Sequence, residues 1–346
     1  MKRLEKPSPK RNPRPKVVVI GGGTGTFVVL SGLKDKALDL TAIITVADSG
    51  GSTGRLRDEF GFLLRDEFGF LPVGDLRQSL AALAPENHQS WIRELLLYRF
   101  KKGKALKGHN LGNLILTALQ DMVGSTPKAL EVAGRIFRLD GHIYPSTLTN
   151  VQLVANYSDG TRIIGEHHLD DKALGGKKIT SVHLEPEAVI YSKAAEAIKR
   201  ATVLVIGPGD LYGSLIPNLA VKGVKEAFRQ SQGKIIYVVN LMTRFTQTHG
   251  MTAQNHLDVV KRYLGRFPDV VVINNGQIPS SAKKLYAKYH EFPVTDDLLS
   301  KKEYQVVRGN FVSHMVIKQV AGDALARSLL RHDQPNLTSV IMSVIR

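Results

Sequence analysis

The chain of 346 residues contains no cysteine. That absence excludes disulfides, thiolate zinc sites, iron–sulfur clusters and a cysteine nucleophile. No apolar run reaches the roughly eighteen residues that a membrane-crossing helix needs, so no span is predicted. Acidic residues are few: 31 Asp and Glu stand against 47 Lys and Arg, a net charge of +16. The basic opening "MKRLEKPSPKRNPRPK" runs into "VVVIGGG" and not into a longer apolar region, which speaks against a secretory signal. A cytoplasmic location is expected.

Part of the positive charge is local. Residues 1–16 carry seven Lys or Arg against Glu5, with prolines between them. By composition residues 1–15 form a disordered basic tail, either a solubilising extension or a segment that touches nucleic acid or anionic lipid. The other basic residues read as scattered, without the aromatic and basic ladder of single-strand binders, which argues against a nucleic-acid partner.

The body reads as one α/β domain over residues 16–346. "KVVVIGG", "TAIITVAD", "ATVLVIGPGD", "KIIYVVNLMT" and "DVVVINNG" are apolar, β-branched runs that end in small or polar residues, as strands buried on both faces do. With helical patterns after most of them, they predict a Rossmann-like, doubly wound, mostly parallel sheet. Residues 74–138 read as an all-helical insertion. Residues 142–186 read as a small antiparallel β-hairpin excursion, because Ser-Asp-Gly separates two alternating segments in "VQLVANYSDGTRIIGEHHL".

Ligands of such sheets bind beyond the carboxyl ends of the strands, and four of those ends are rich in glycine and small polar residues. The first carries Gly22, Gly23, Thr24 and Gly25 before a helix whose free N–H groups suit an anion. The spacing fails both the G-x-G-x-x-G and the Gly-Lys-Ser/Thr patterns, so the loop is either a phosphate cradle of another kind or a tight turn. The second, "ADSGGSTGR", offers Asp48 for a metal or a hydroxyl, Ser49, Gly50, Gly51 and Ser52 to wrap a ligand, and Arg55 to pair with phosphate; a long surface loop is the alternative. The third is Gly207, Pro208, Gly209 and Asp210, where Asp210 suits a helix cap. The fourth supplies Asn240 and Thr243, suited to a base or a sugar. Asn110 and Asn113, an i, i+3 pair at a helix start, face either the site or a cap with one buried contact. Together these ends make a nucleotide-shaped site.

Other chemistries find no support. The eleven histidines form no metal pattern. His167 and His168 are expected in a strand, pointing to opposite faces. No G-x-S-x-G nucleophile elbow is present.

The motifs "GGGTGTFVVLSGL", "ADSGGSTGRLR", "EFGFLPVGDLRQSLAALAP", "GHNLGNLILTAL", "SDGTRIIGE", "IGPGDLYGSLIPNL" and "NLMTRFTQTHGMT" follow one another as in the YvcK-type gluconeogenesis factors. The chain resembles that group from about Lys16 to His332, within the superfamily of CofD, the 2-phospho-L-lactate transferase. The resemblance implies a Rossmann-like core and a nucleoside-diphosphate ligand. It implies a UDP-sugar-binding regulatory factor for cell shape and wall synthesis during gluconeogenic growth, with a protein partner and a homodimer left open. The transferase branch implies the alternative, a phosphotransferase acting on a nucleoside-diphosphate-linked, phospholactate-type donor. Asp48, Asp75 and Arg55 would then serve catalysis, with Mg2+ as a cofactor. The resemblance adds Arg77 to the ligand-binding set. Ser49 replaces a carboxylate of the family pattern, and Asp210 stands where repulsion would weaken phosphate binding unless it points away. Both departures favour sensing over chemistry.

One further oddity lies beside the expected site. "LRDEFGFL" occurs twice without a substitution, at Leu56–Leu63 and Leu64–Leu71. Both flanks match the family pattern only if eight residues are extra, as an in-frame tandem duplication leaves them; the extra length is either a tolerated accident or a lengthened lid with a role. Two such short copies cannot stack a solenoid core.

Overall fold

The computed structural model describes residues 13–48, 50, 52–53, 56, 71–85, 90–299, 302–313 and 330–345. Most of the basic tail and of the duplicated octapeptide lies outside the described residues. Leu56 and Leu71, the outer ends of the two copies, are buried.

In chain order the strands are β1 (Lys16–Gly21), β2 (Asp39–Ile44), β3 (His142–Pro145), β4 (Gln152–Tyr157), β5 (Arg162–Ile164), β6 (Ile179–Glu185), β7 (Val203–Ile206), β8 (Lys234–Val238), β9 (Val270–Asn274) and β10 (Gln305–Gly309). Seven of them form one sheet in the order β10-β9-β8-β7-β1-β2-β3. Every neighbouring pair is parallel. In β1, Ile20 lies opposite Ile43 on one side and Ile206 on the other. Val17, Val19 and Ile20 are almost wholly buried, which is why a continuous β-branched run occupies this strand. Order runs outward from β1 in two directions, so the chain leaves the ends of β1 and β7 toward opposite sides. The gap between them is the topological switch point.

The three remaining strands form a separate antiparallel sheet in the order β5-β4-β6. The β4–β5 turn contains the predicted Ser-Asp-Gly: the Asp159 carboxylate accepts from the Thr161 amide at 3.0 Å, and Gly160 takes φ +86°.

Between β2 and β3 the described helices are Gly74–Leu83, Ser90–Leu97, Leu111–Val123 and Thr126–Ile136. The 74–138 insertion is therefore mostly helical, with one departure. Residues 98–111 fold back as a hairpin-like loop in which Arg99 bridges Asn110 and Phe100 donates to the His109 carbonyl at 2.9 Å. The helix Gln334–Ile345 lies against the helix Gly23–Leu33, where Gly32 leaves room for Thr338.

Candidate functional site

A cleft of about 540 Å3 opens over the carboxyl ends of β1, β2, β7 and β8. Its first wall is the β1 turn. Gly22 is the N-cap of the helix Gly23–Leu33 and brings no side-chain cap to it, so the amino end of this helix points toward the cleft. The turn is tight on two sides. A Cβ at Gly22 would fall on the Asp75 carboxylate, and one at Gly25 would collide with the Pro208 carbonyl group. The glycines therefore let three chain segments meet in a space that a side chain would fill.

The second wall follows β2. Asp48 accepts from the Gly50 amide at 3.0 Å, and its carboxylate also lies against Gly74, at the start of the next helix. That helix, Gly74–Leu83, has Val73 as N-cap and again no side-chain cap. Asn113 ties this wall together by donating to Ser52 Oγ at 3.4 Å and Thr53 Oγ1 at 3.3 Å. Ser52 Oγ also sits 3.2 Å from His109 Nδ1. The Asn113 Oδ1 is buried and has no hydrogen-bond partner among the described residues.

The third wall comes from β7 and β8. Asn240 donates to the Gly209 carbonyl at 2.9 Å, joining the two strand-end loops, and its own Oδ1 is buried without a partner among the described residues. Beside it Arg244 donates to Asp170 at 2.7 Å and stands 3.9 Å from Glu291. The carboxylates of Asp210, then of Asp170 and Glu291, hold this guanidinium above its usual range in spite of burial. Burial pushes the Glu291 carboxyl up, with Arg244 opposing the shift. His332 closes the rim; its Nε2 donates to the Val239 carbonyl at 3.1 Å, and burial pushes the imidazole down to about 4.

Of the residues expected from sequence, Gly22, Gly23, Thr24, Gly25, Asp48, Gly50, Ser52, Asp75, Arg77, Asn113, Gly209, Asp210, Asn240 and Thr243 line this one cleft. Ser49, Gly51 and Arg55 lie outside the described residues. Gly207 and Pro208 stand behind the lining. Asn110 is turned inward: its side-chain Oδ1 accepts from the Asn113 backbone N–H as the cap of the helix Leu111–Val123. Thr243 is partly committed, since its hydroxyl accepts from the Phe292 amide at 3.0 Å. Asp210 faces Arg244, which offsets its charge.

Other lining residues escaped sequence reasoning: Arg99, Glu166, His167, Arg244, Glu291 and Arg331. His167 and His168 lie in a 3-10 turn, Glu166–Asp170, and not in a strand; their rings are 3.8 Å apart. Arg244 and His332 sat inside or at the edge of recognisable motifs. Glu291 had no such signal, because a long loop delivers it.

The chain is similar to known proteins over nearly its whole length. The family described as 2-phospho-L-lactate transferase CofD matches residues 17–312. The gluconeogenesis factor of Listeria innocua is 40% identical over 268 residues, 77% of this chain and 79% of that protein. The gluconeogenesis factor of Bacillus subtilis is 33% identical over 337 residues, 96% of this chain and 99% of that protein. The crystal structure of protein BH3568 from Bacillus halodurans superposes with a TM-score of 0.82 at 33% identity, covering 95% of this chain and 100% of that one. A second crystal structure of BH3568, described as a member of the UPF0052 family, also gives 0.82.

Proposed function

The chain belongs to the CofD family, and from that membership we propose that it is a nucleotide-sugar-binding regulatory factor that takes a UDP-sugar in the cleft. The observation that carries this reading is the meeting of two helix amino termini, each without a side-chain cap, around Gly22–Gly25 and Gly74. Backbone N–H groups there suit a diphosphate. Asn113 and Asn240 line the cleft, and their amide groups are of the kind that pairs with base N–H or sugar hydroxyl groups. A volume of about 540 Å3 suits a ligand of that size. Occupancy orders the glycine loops and alters a surface read by a protein partner in the cytoplasm. The relatives' name, gluconeogenesis factor, supports a role during gluconeogenic growth; service to cell shape and wall synthesis is part of the proposal.

A second reading is favoured by the family's description as a transferase and by Asp48 and Asp75, which stand on one wall. Among the described residues no three His, Asp or Glu side chains gather as a metal set. Mg2+ would therefore be held by these two carboxylates and by ligand phosphates, which is a common arrangement for this ion. It would supply neutralisation of phosphoryl charge. Arg77 and Arg244 orient the ligand from opposite walls.

Isothermal titration with UDP-N-acetylglucosamine and with GDP, each with and without Mg2+, separates the two. Metal-independent binding of the UDP-sugar with GDP silent is the expected result. Mg2+-dependent GDP binding would favour the transferase, and silence from both ligands would overturn the nucleotide-site reading.

A further inference from the structure

The sequence suggested that basic residues outside the tail are scattered. In the fold six of them are concentrated in one stretch. Between Trp91 and Gln120 the chain carries Arg93, Arg99, Lys101, Lys102, Lys104 and Lys107, against the single acid Glu94. The four lysines stand on the exposed tip of the 98–111 loop. None of them is paired with an acid among the described residues.

The same place shows apolar side chains to solvent. The helix Ser90–Leu97 turns Leu96 fully inward with Ile92 beside it, while Arg93 stacks on Phe27 at 4.7 Å. Its other face leaves Trp91 70% exposed and Leu95 46% exposed, and Tyr98, one residue beyond the helix, is 49% exposed. Positions 91 and 95 stand one turn apart on one helical stripe, and Tyr98 follows just past the helix end. Leu97 and, on the lysine loop itself, Leu106 add further exposed apolar surface. Tyr98 packs edge-on against Phe100 at 5.2 Å, which joins the stripe to the loop.

From this juxtaposition we propose that the helix Ser90–Leu97 and the 98–111 loop form a docking surface for an anionic lipid bilayer. Trp and Tyr rings settle at the headgroup level of a bilayer. Leucines beside them enter the acyl boundary, and each lysine near an anionic surface strengthens partitioning roughly fivefold. Apolar contact plus a basic cluster is the two-part signal that reversible membrane binding needs. A second copy is disfavoured on this face, because like lysine loops would meet. Nucleic acid would leave Leu95, Leu97 and Leu106 without a partner. Arg99 donates to the Gly108 carbonyl at 2.7 Å, and both residues also line the cleft. Docking therefore holds one rim of the cleft at the lipid surface.

Trp91 is the sole tryptophan of the chain, so its fluorescence reports on this face alone. The full chain is titrated with vesicles of phosphatidylcholine containing about a third phosphatidylglycerol, and with vesicles of phosphatidylcholine only. The expected result is a blue shift with the anionic vesicles, quenching by brominated acyl chains, and little change with the neutral ones. Lys102→Ser with Lys104→Ser should weaken partitioning about 25-fold. Leu95→Ser, at an exposed position, should reduce the blue shift without altering the far-ultraviolet circular dichroism. Vesicle binding without a Trp91 shift would assign the attraction to the basic tail and overturn the proposal. A shift that instead follows protein concentration, or addition of an oligonucleotide, would overturn it in favour of a second copy or nucleic acid.

Discussion

The guanidinium of Arg244 and the carboxylate of Asp170 meet at 2.7 Å with both side chains largely buried. Asp170 ends the turn that leaves β5 of the small antiparallel sheet, and Arg244 follows β8. One ion pair thus ties the two sheets together beside the cleft. Arg244→Met would leave Asp170, Asp210 and Glu291 without their common counter-charge. Breaking a buried pair on one side costs about 3 kcal/mol, and urea denaturation should show a loss of that order. Arg244→Lys keeps the charge but loses the fork, and should recover only part of it. An unchanged urea midpoint in Arg244→Met would show that the pair carries no stability.

Acid should weaken the fold through His332. Its imidazole has a folded pKa of about 4 and an unfolded value near 6.5. The unfolded chain therefore binds the proton first. Stability is unaffected above about pH 6.5, falls as pH drops toward 4, and levels off below, by on the order of 3 kcal/mol from this group. His256, also held down by burial, acts in the same direction. Urea midpoints between pH 7.5 and 4.5 check this, and His332→Gln should flatten the slope.

Gly25→Ala tests the close approach of the first and third walls. The added methyl would meet the Pro208 carbonyl group, which is backbone and cannot swing aside. Overpacking of this kind costs about 1–3 kcal/mol. Titration should show UDP-sugar affinity reduced by at least about tenfold. Wild-type affinity in the variant would mean that this turn does not touch the ligand.

Asn113→Ala removes the amide that donates to Ser52 and Thr53. Loss of such buried bonds costs about 1–2 kcal/mol, which thermal unfolding should detect. The loosened β2 loop should also bind ligand more weakly. The same substitution at Asn110 should lower stability through the lost cap, with a smaller effect on affinity.

Deleting Leu64–Leu71 restores the family spacing between Gly54 and Asp75. Eight extra residues in a connection between elements add little closure entropy, so the unfolding temperature should change slightly. Ligand affinity should stay equal or rise. A collapse in either quantity would show that the second copy has acquired a role.

The parallel core was legible because strands covered on both faces carry unbroken β-branched runs, as in Val17–Ile20 and Val203–Ile206. The two edge strands were not legible. β3 reads His-Ile-Tyr-Pro, and β10 mixes Gln and Arg with two valines because one side of each faces away from the sheet. In the site, glycines marked the places where backbones meet, and those positions line the cleft. Asn110 and Asn113 look equivalent in sequence, yet one serves as the cap and the other as a brace, a distinction set by where the helix begins. Glu291 and Arg331 approach from distant loops, and no local pattern foretells such closure.

The last segment of the cleft has a bearing on how the protein is made. Leu330, Arg331 and His332 complete the rim, and the helix Gln334–Ile345 that follows them packs on the helix leaving the first glycine turn. A ribosome delivers these residues after every other described part of the cleft. A nascent chain that has already emitted all the glycine loops therefore still lacks this part of the rim, so the cleft takes its full shape only when the last segments have been made.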